Sequence, residues 1–205
     1  FGDIMVDYSY VECTSAMLQA LTIAKQRFPD LAATIAPAIA RGAQHLRDRQ
    51  QPEGGFEGSW AVCFTYGAWF GVTGLLAAGA RADDEAVLRA CRFLLDRQRS
   101  DGGWGEHGDS CREHRYIQAA AGGVTQTSWA LSTLVRARHP SHDAQRRAVR
   151  FLVERQEAGG GWAREPLVGV FNRTCLINYD NYRHYFPLWA IAEWAGAPSS
   201  EAASL

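Results

Sequence analysis

The sequence predicts an all-α fold forming part of an (α/α) barrel, in which outer and inner helices alternate. Two observations predict it. One pattern, running from a small residue through Gln to an aromatic ring, occurs three times along the 205 residues. Each occurrence closes an amphipathic stretch, and nearly uncharged stretches lie between them. A one-sided helix belongs on an outer ring and an apolar one belongs inside it. A simple helical solenoid would carry the same repeat. No segment reads as a strand of any length.

The repeats are Gly42 to Phe56, Ala90 to Trp104 and Ala148 to Trp162. Gln50, Gln98 and Gln156 each stand eight places after a small residue and six before a ring: Phe56, Trp104 and Trp162. In the first repeat, Pro37 is expected only near the helix's first turn. In the second, Val87, Leu88, Cys91, Leu94 and Leu95 share one helical face. Asp83, Asp84 and Glu85 precede that face, where the helix dipole favours negative charge. The third has Ser141 as N-cap, then Val149, Leu152 and Val153 on one face. The glycine pair after the second repeat's helix stops it and permits left-handed backbone. The inner helices are expected near Tyr8 to Ala24, Cys63 to Ala78, Val124 to Ala137 and Tyr182 to Trp194.

Composition narrows the function classes. Hydrophobic residues are 47% of the chain and charged ones 21%, which suits a packed core. The net charge of -1 gives no basic footprint for nucleic acid. Five cysteines, Cys13, Cys63, Cys91, Cys111 and Cys175, show neither a disulfide framework nor zinc-ligand spacing. No histidine pair has metal-ligand spacing, so no metal is expected. Trp60 to Ala80 runs uncharged for 21 residues, long enough for a bilayer. Its flanking amphipathic helices make it a buried inner helix instead. Phe1 opens within a mixed run, which suggests a chain truncated at its N-terminus.

Other motifs carry less. Gly103-x-Gly105-x-x-Gly108 has the letters of a dinucleotide fingerprint but follows a helix, not a strand. The Asp83 to Glu85 run lacks a second acidic cluster and reads as a solvated cap. Asn172-Arg173-Thr174 is a glycosylation sequon in a chain without a secretion signal. The 7 Trp, 7 Tyr and 9 Phe are a stronger signal, because many fall at ends of the inner helices. Core packing explains most of them. A ring-lined cavity would also bind apolar ligands and stabilise a cation.

The repeats resemble those of triterpene cyclases, and longer strings narrow the resemblance. FGDIMVDYSYVECTSAMLQAL, GSWAVCFTYGAWFG, DGGWGE and GVFNRTCLINYDNYRHYFPLWA occur in the order found near the end of oxidosqualene cyclases. The resemblance runs from Phe1 to about Trp194. Squalene–hopene cyclase shares DGGWGE and YRHYFP, while Val62 to Thr65 and Phe171 to Cys175 look like the oxidosqualene branch.

The resemblance implies isomerisation of 2,3-oxidosqualene to a sterol-type tetracycle. An aspartic acid in an Asp-Cys-Thr-Ala-Glu motif protonates the epoxide, and a cation cascade follows without metal or organic cofactor. That motif is absent from these residues. By resemblance, Cys63 supports the proton donor. Trp104 and Phe171 line the cation path, and Tyr179 and Tyr182 lie near its acid end. The resemblance also implies a peripheral, monotopic membrane protein facing the cytoplasm. Ala and Arg content hints at a GC-rich bacterial genome. The chain alone is expected to be inactive; activity would transfer the acid's role to a carboxyl such as Asp7 or Glu12. Squalene–hopene cyclase, the same chemistry on an unoxidised substrate, is the alternative within the class, and a non-catalytic helical-repeat binding module is the alternative of a different class.

Overall fold

The computed structural model describes residues 8–171 and 173–197. Asp7 and Asn172 lie outside the described residues. The inner helices are α1 (Val11–Arg27), α3 (Phe64–Ala77), α6 (Val124–Arg136) and α8 (Tyr182–Gly196). The outer helices are α2 (Ala32–Arg49), α4 (Glu85–Leu95) and α7 (His142–Glu154), and a short α5 spans Asp109–Glu113. The inner helices pack side by side in the order α1, α3, α6, α8. On their outer side α2 packs against α1 and α3, α4 against α3, and α7 against α6.

This arc is not a closed barrel. Its end helices keep exposed apolar side chains, Met17 and Ile23 on α1 and Leu188 and Trp189 on α8. The uncharged run from Trp60 to Ala80 holds only the 14-residue α3, most of it buried. No described helix is long and apolar enough to cross a membrane.

Three expectations need correction. The fold is mostly helical rather than all-α. β1 (Trp104–Glu106) pairs antiparallel with β2 (Gln118–Gly123), and β3 (Gly169–Phe171) with β4 (Cys175–Ile177). Three of these strands have three residues each, and β2 is built from Gln, Ala and Gly, so neither length nor composition announces them. Pro37 lies in the second turn of α2, which begins at Ala32 after a 3-10 turn at Pro29–Leu31. Pro37 and Ala33 are both exposed, so water can satisfy the carbonyl that loses its partner. Val153 is exposed, and Phe151 is buried in its stead. Phe151 sits on the flank of α7, covering Gly103 of the preceding turn.

The acidic run behaves as a cap: Asp84 is the N-cap of α4 and accepts from the Ala86 N–H at 3.0 Å. Ser141 holds the N-cap position of α7, but its side chain makes no capping bond.

Each repeat ends in the same turn. Backbone bonds close it at Gln51–Gly55 (2.9 Å), Arg99–Gly103 (2.9 Å) and Glu157–Gly161 (2.8 Å). The first glycine of each pair is left-handed: Gly54 at φ +99°, Gly102 at +88° and Gly160 at +82°. The Gln50, Gln98 and Gln156 amides each donate to that glycine's carbonyl at 2.9 Å. Gln50 and Gln98 also donate to the next outer helix, at Ala86 and Ala144 carbonyls, both 2.8 Å. The Trp104 and Trp162 indoles donate back to Leu94 (2.7 Å) and Leu152 (2.8 Å). Phe56 takes the same place without a donor. All three rings are at most 1% exposed. The first two repeats thus tie the end of one outer helix to the start of the next.

Candidate functional site

The loops leaving each ring and entering an inner helix gather three acidic side chains. Glu106, two residues after Trp104, points into the start of α3. Its carboxylate accepts from the Phe64 N–H (2.9 Å), the Thr65 N–H (3.0 Å) and the Thr65 hydroxyl (3.0 Å). These first-turn amides have no partner inside the helix, and the dipole favours an anion there. Gln126 fixes Glu106 from both sides, accepting from its N–H (2.8 Å) and donating to its carbonyl (3.0 Å). Glu165 serves α6 likewise, accepting from the Val124 N–H at 2.6 Å. Glu12 reverses the arrangement: it sits on α1 and accepts from the Ser59 (2.5 Å) and Trp60 (3.0 Å) amides.

Burial pushes all three carboxyls above the usual carboxylate range, although the backbone bonds pull the other way. The second oxygen of Glu12 is buried without a hydrogen-bond partner among the described residues. Sequence reasoning did not single out Glu106 or Glu165. An acid within three residues of each tryptophan was the available signal.

Cys63 is the N-cap of α3 and fully buried. Its sulfur donates to the Gly58 carbonyl at 3.7 Å. The neighbouring Cys111 thiol, then burial, then the charge of Glu106 push the thiol well above its usual range. Cys63 is therefore a neutral hydrogen-bond donor, not a thiolate nucleophile.

Phe171 ends β3, which is tied to the loop before Cys63. Val62 donates to the Val168 carbonyl (2.8 Å), and Val170 to that of Trp60 (3.1 Å). The Phe171 ring lies 5.7 Å from the Trp60 ring. Both border a cavity of about 510 Å3, whose wall includes Tyr8, Tyr10, Gly58 and Cys111. Gly58 accepts from the Cys63 sulfur, so Cys63 lies directly behind the wall that Phe171 borders. At its rim Arg173 meets His114 Nε2 (3.1 Å), and His114 Nδ1 meets Glu57 (2.6 Å). His114 and Arg173 both adopt left-handed backbone, at φ 55° and 63°.

Tyr179 and Tyr182 stack with centroids 4.8 Å apart and line a smaller cleft of about 80 Å3 beside Glu165. Tyr182 also packs on Trp129 (6.1 Å) and Phe186 (5.1 Å), part of a second aromatic cluster with Tyr66 and Trp69. Trp60 packs against the same cluster, so rings connect Phe171 to Tyr182. Trp104 borders neither cavity. It is fully buried in the main core, its indole N–H spent on Leu94.

Among the described residues, no three His, Cys, Asp or Glu side chains gather as a metal site. Gly105, in the fingerprint-like string, is required by strand pairing: a Cβ there would lie 1.9 Å from the Ala121 carbonyl oxygen.

Residues 2–196 match the squalene-hopene cyclase C-terminal domain family. The chain is 48% identical to human lanosterol synthase over 200 residues, which cover 95% of this chain and 27% of that protein. It is 41% identical to the cycloartenol synthase of Dictyostelium discoideum, over 95% of this chain and 28% of that one. The chain thus spans about a quarter of these relatives' length. Their eukaryotic sources lend the expectation of a bacterial genome no support. The fold matches ent-copalyl diphosphate synthase from Streptomyces platensis with a TM-score of 0.74 at 19% identity, over 93% of this chain and 34% of that one. The chain belongs to the terpene cyclase superfamily, in the oxidosqualene cyclase (lanosterol synthase) family, and corresponds to its C-terminal domain.

Proposed function

We propose that this chain is the C-terminal part of an α/α-barrel enzyme that isomerises 2,3-oxidosqualene to a sterol-type tetracycle. The neutral Cys63 thiol, in contact with the wall of a ring-lined cavity, carries this reading. In the complete enzyme an aspartic acid outside these residues protonates the epoxide oxygen. The C–O bond breaks, and successive C=C bonds add to the carbon left positive. Loss of a proton ends the cascade, so the reaction is a net isomerisation. The Cys63 thiol, whose single proton rests on the Gly58 carbonyl here, would turn that donor to the acid and stabilise its charge once the acid's proton has left. Ring faces stabilise the passing cation without trapping it as a nucleophile would.

In this reading Phe171, with Trp60 5.7 Å from its ring, lines the cation path, and the stacked Tyr179 and Tyr182 serve its polar end. Trp104 acts on this path through packing, since its ring lies in the core. The substrate is apolar and membrane-dissolved, so the complete enzyme acts as a monotopic protein at a membrane surface.

Cys63→Ala and Cys63→Ser in the complete enzyme test the reading. Cys63→Ala removes the donor from a 0% exposed site with little change of volume. We expect turnover to fall at least about tenfold, as for loss of one charge-assisted bond, with partial recovery in Cys63→Ser and an unchanged melting temperature. Full activity in Cys63→Ala would refute the role.

A further inference from the structure

The loop before α3 carries Trp60, and its amides are shared among fixed acceptors. Gly58 donates to the Cys63 carbonyl at 3.0 Å and Val62 to the Val168 carbonyl at 2.8 Å. Phe64 and Thr65 donate to Glu106 at 2.9 Å and 3.0 Å. The two amides at the ring itself, those of Ser59 and Trp60, have Glu12 Oε1 as their one acceptor among the described residues, at 2.5 Å and 3.0 Å. On the other side of the residue the Trp60 carbonyl accepts from Val170 at 3.1 Å. Trp60 is thus pinned between α1 and β3, its ring 5.7 Å from Phe171 and against the cluster of Tyr66, Trp69, Trp129 and Phe186.

Glu12 differs from the other two buried acids. Glu106 and Glu165 meet the open amides at the starts of α3 and α6, where the helix dipole itself favours an anion. Glu12 reaches from the first turn of α1 to a loop, and it is only 5% exposed. Burying a carboxyl is costly, and the backbone it fixes there is that of one aromatic residue on the cavity wall. Both bonds use one oxygen. The other, Oε2, is buried without a hydrogen-bond partner among the described residues, so an amide nitrogen in its place breaks no bond of this chain.

We propose, resting on the reading of that wall as a cation path, that Glu12 is the positioning residue of Trp60. Through the two amides at the ring it sets where the indole face stands, and so how far the cation cascade runs before a proton is lost. Cation–π attraction holds only within about 6 Å of the ring centre. A displacement on the order of 1 Å can cost about a hundredfold in rate. A cation left without its ring loses a proton early and gives a monocyclic or bicyclic alcohol, an isomer of the same substrate. Atoms balance either way: the epoxide oxygen keeps the proton it received, and a later carbon gives one back.

Glu12→Gln and Glu12→Asp in the complete enzyme separate position from charge. Gln keeps the length and the accepting oxygen, whereas Asp keeps the charge but falls a methylene short of the two amides. With 2,3-oxidosqualene as substrate and products separated by gas chromatography, Glu12→Gln should keep the parent's turnover and product ratio. Glu12→Asp should lose about tenfold in turnover, the equivalent of one hydrogen bond, and shift product towards monocyclic and bicyclic alcohols. In a Trp60→Ala enzyme, Glu12→Asp should change the product ratio no further, because its effect runs through that ring. Loss in Glu12→Gln, with or without loss in Glu12→Asp, would make the carboxyl a proton or charge carrier and overturn the proposal. Equal product shifts with and without the Trp60 ring would overturn it too. Crystal structures of the same enzymes read the placement apart from activity, and a Trp60 ring unmoved in Glu12→Asp sinks it. A parent that leaves oxidosqualene untouched refutes the proposed function instead, and the crystal structures alone then decide the role of Glu12.

Discussion

Replacing Gln98 by alanine removes both bonds of its amide, to Gly102 at 2.9 Å and Ala144 at 2.8 Å, while the exposed Arg147 guanidinium that met its oxygen keeps its pairing with Asp143. A net hydrogen bond is worth about 0.5–1.5 kcal/mol, so the loss should be ~2 kcal/mol. Gln50→Ala should cost the same, because its two bonds have the same geometry. Gln156→Ala loses one exposed bond and should cost only ~0.5 kcal/mol. For a chain of this size, 1 kcal/mol shifts the melting temperature by roughly 2–4 °C. Gln50→Ala and Gln98→Ala should therefore melt about 4–8 °C below the parent, and Gln156→Ala within a degree or two. Thermal melts followed by circular dichroism at the helix band read all three. Equal losses at the three positions would refute the reasoning, since the repeat would then act through something other than the bond to the next helix.

Glu106→Gln should flatten part of the pH dependence of stability. The folded state holds the Glu106 proton more tightly than the unfolded chain, whose ordinary value is 4.5. The stability this contributes is fully present below pH 4.5 and is lost as pH rises through the higher folded value. Urea unfolding of parent and variant at stepped pH should show a difference that changes above pH 4.5 in that sense; a pH-independent difference would contradict it. Trp104→Phe keeps the packed ring but loses the bond to Leu94, and should cost about 1 kcal/mol. Trp104→Ala should cost about 3–5 kcal/mol, as core tryptophan truncations do, and chemical denaturation separates the two.

The inner helices were legible because their uncharged runs are long. α3 begins within one residue of expectation, α6 and α8 begin on it, and their predicted ends fall within two residues of the observed ones. The Gln-to-ring spacing was legible because the turn is local: the glycine, the glutamine and the ring are all within seven residues. The sheet pairs were not legible, since β1 to β4 lie in loops whose pairing depends on partners up to 19 residues away. Phe93 and Phe151 were missed for a related reason. They lie on the flank between neighbouring outer helices, which a search for one apolar face does not score. The site separates in the same way. Cys63 and Phe171 approach a common cavity wall only because Val168 and Val170 bond to the Trp60–Val62 loop, a pairing that no local pattern shows. Trp104 satisfied a local pattern and a resemblance together, and the fold put its ring in the core.

The most direct test of the central claim incubates 2,3-oxidosqualene with the complete enzyme and, in parallel, with the 205-residue chain alone, and separates products by gas chromatography with mass detection. We predict a tetracyclic triterpene alcohol from the complete enzyme and unchanged substrate from the chain alone. Tetracyclic product from the chain alone would place the proton donor among these residues, with the buried Glu12 carboxyl first in question. A complete enzyme that cyclises squalene to a hopanoid and leaves oxidosqualene untouched would contradict the assignment of substrate.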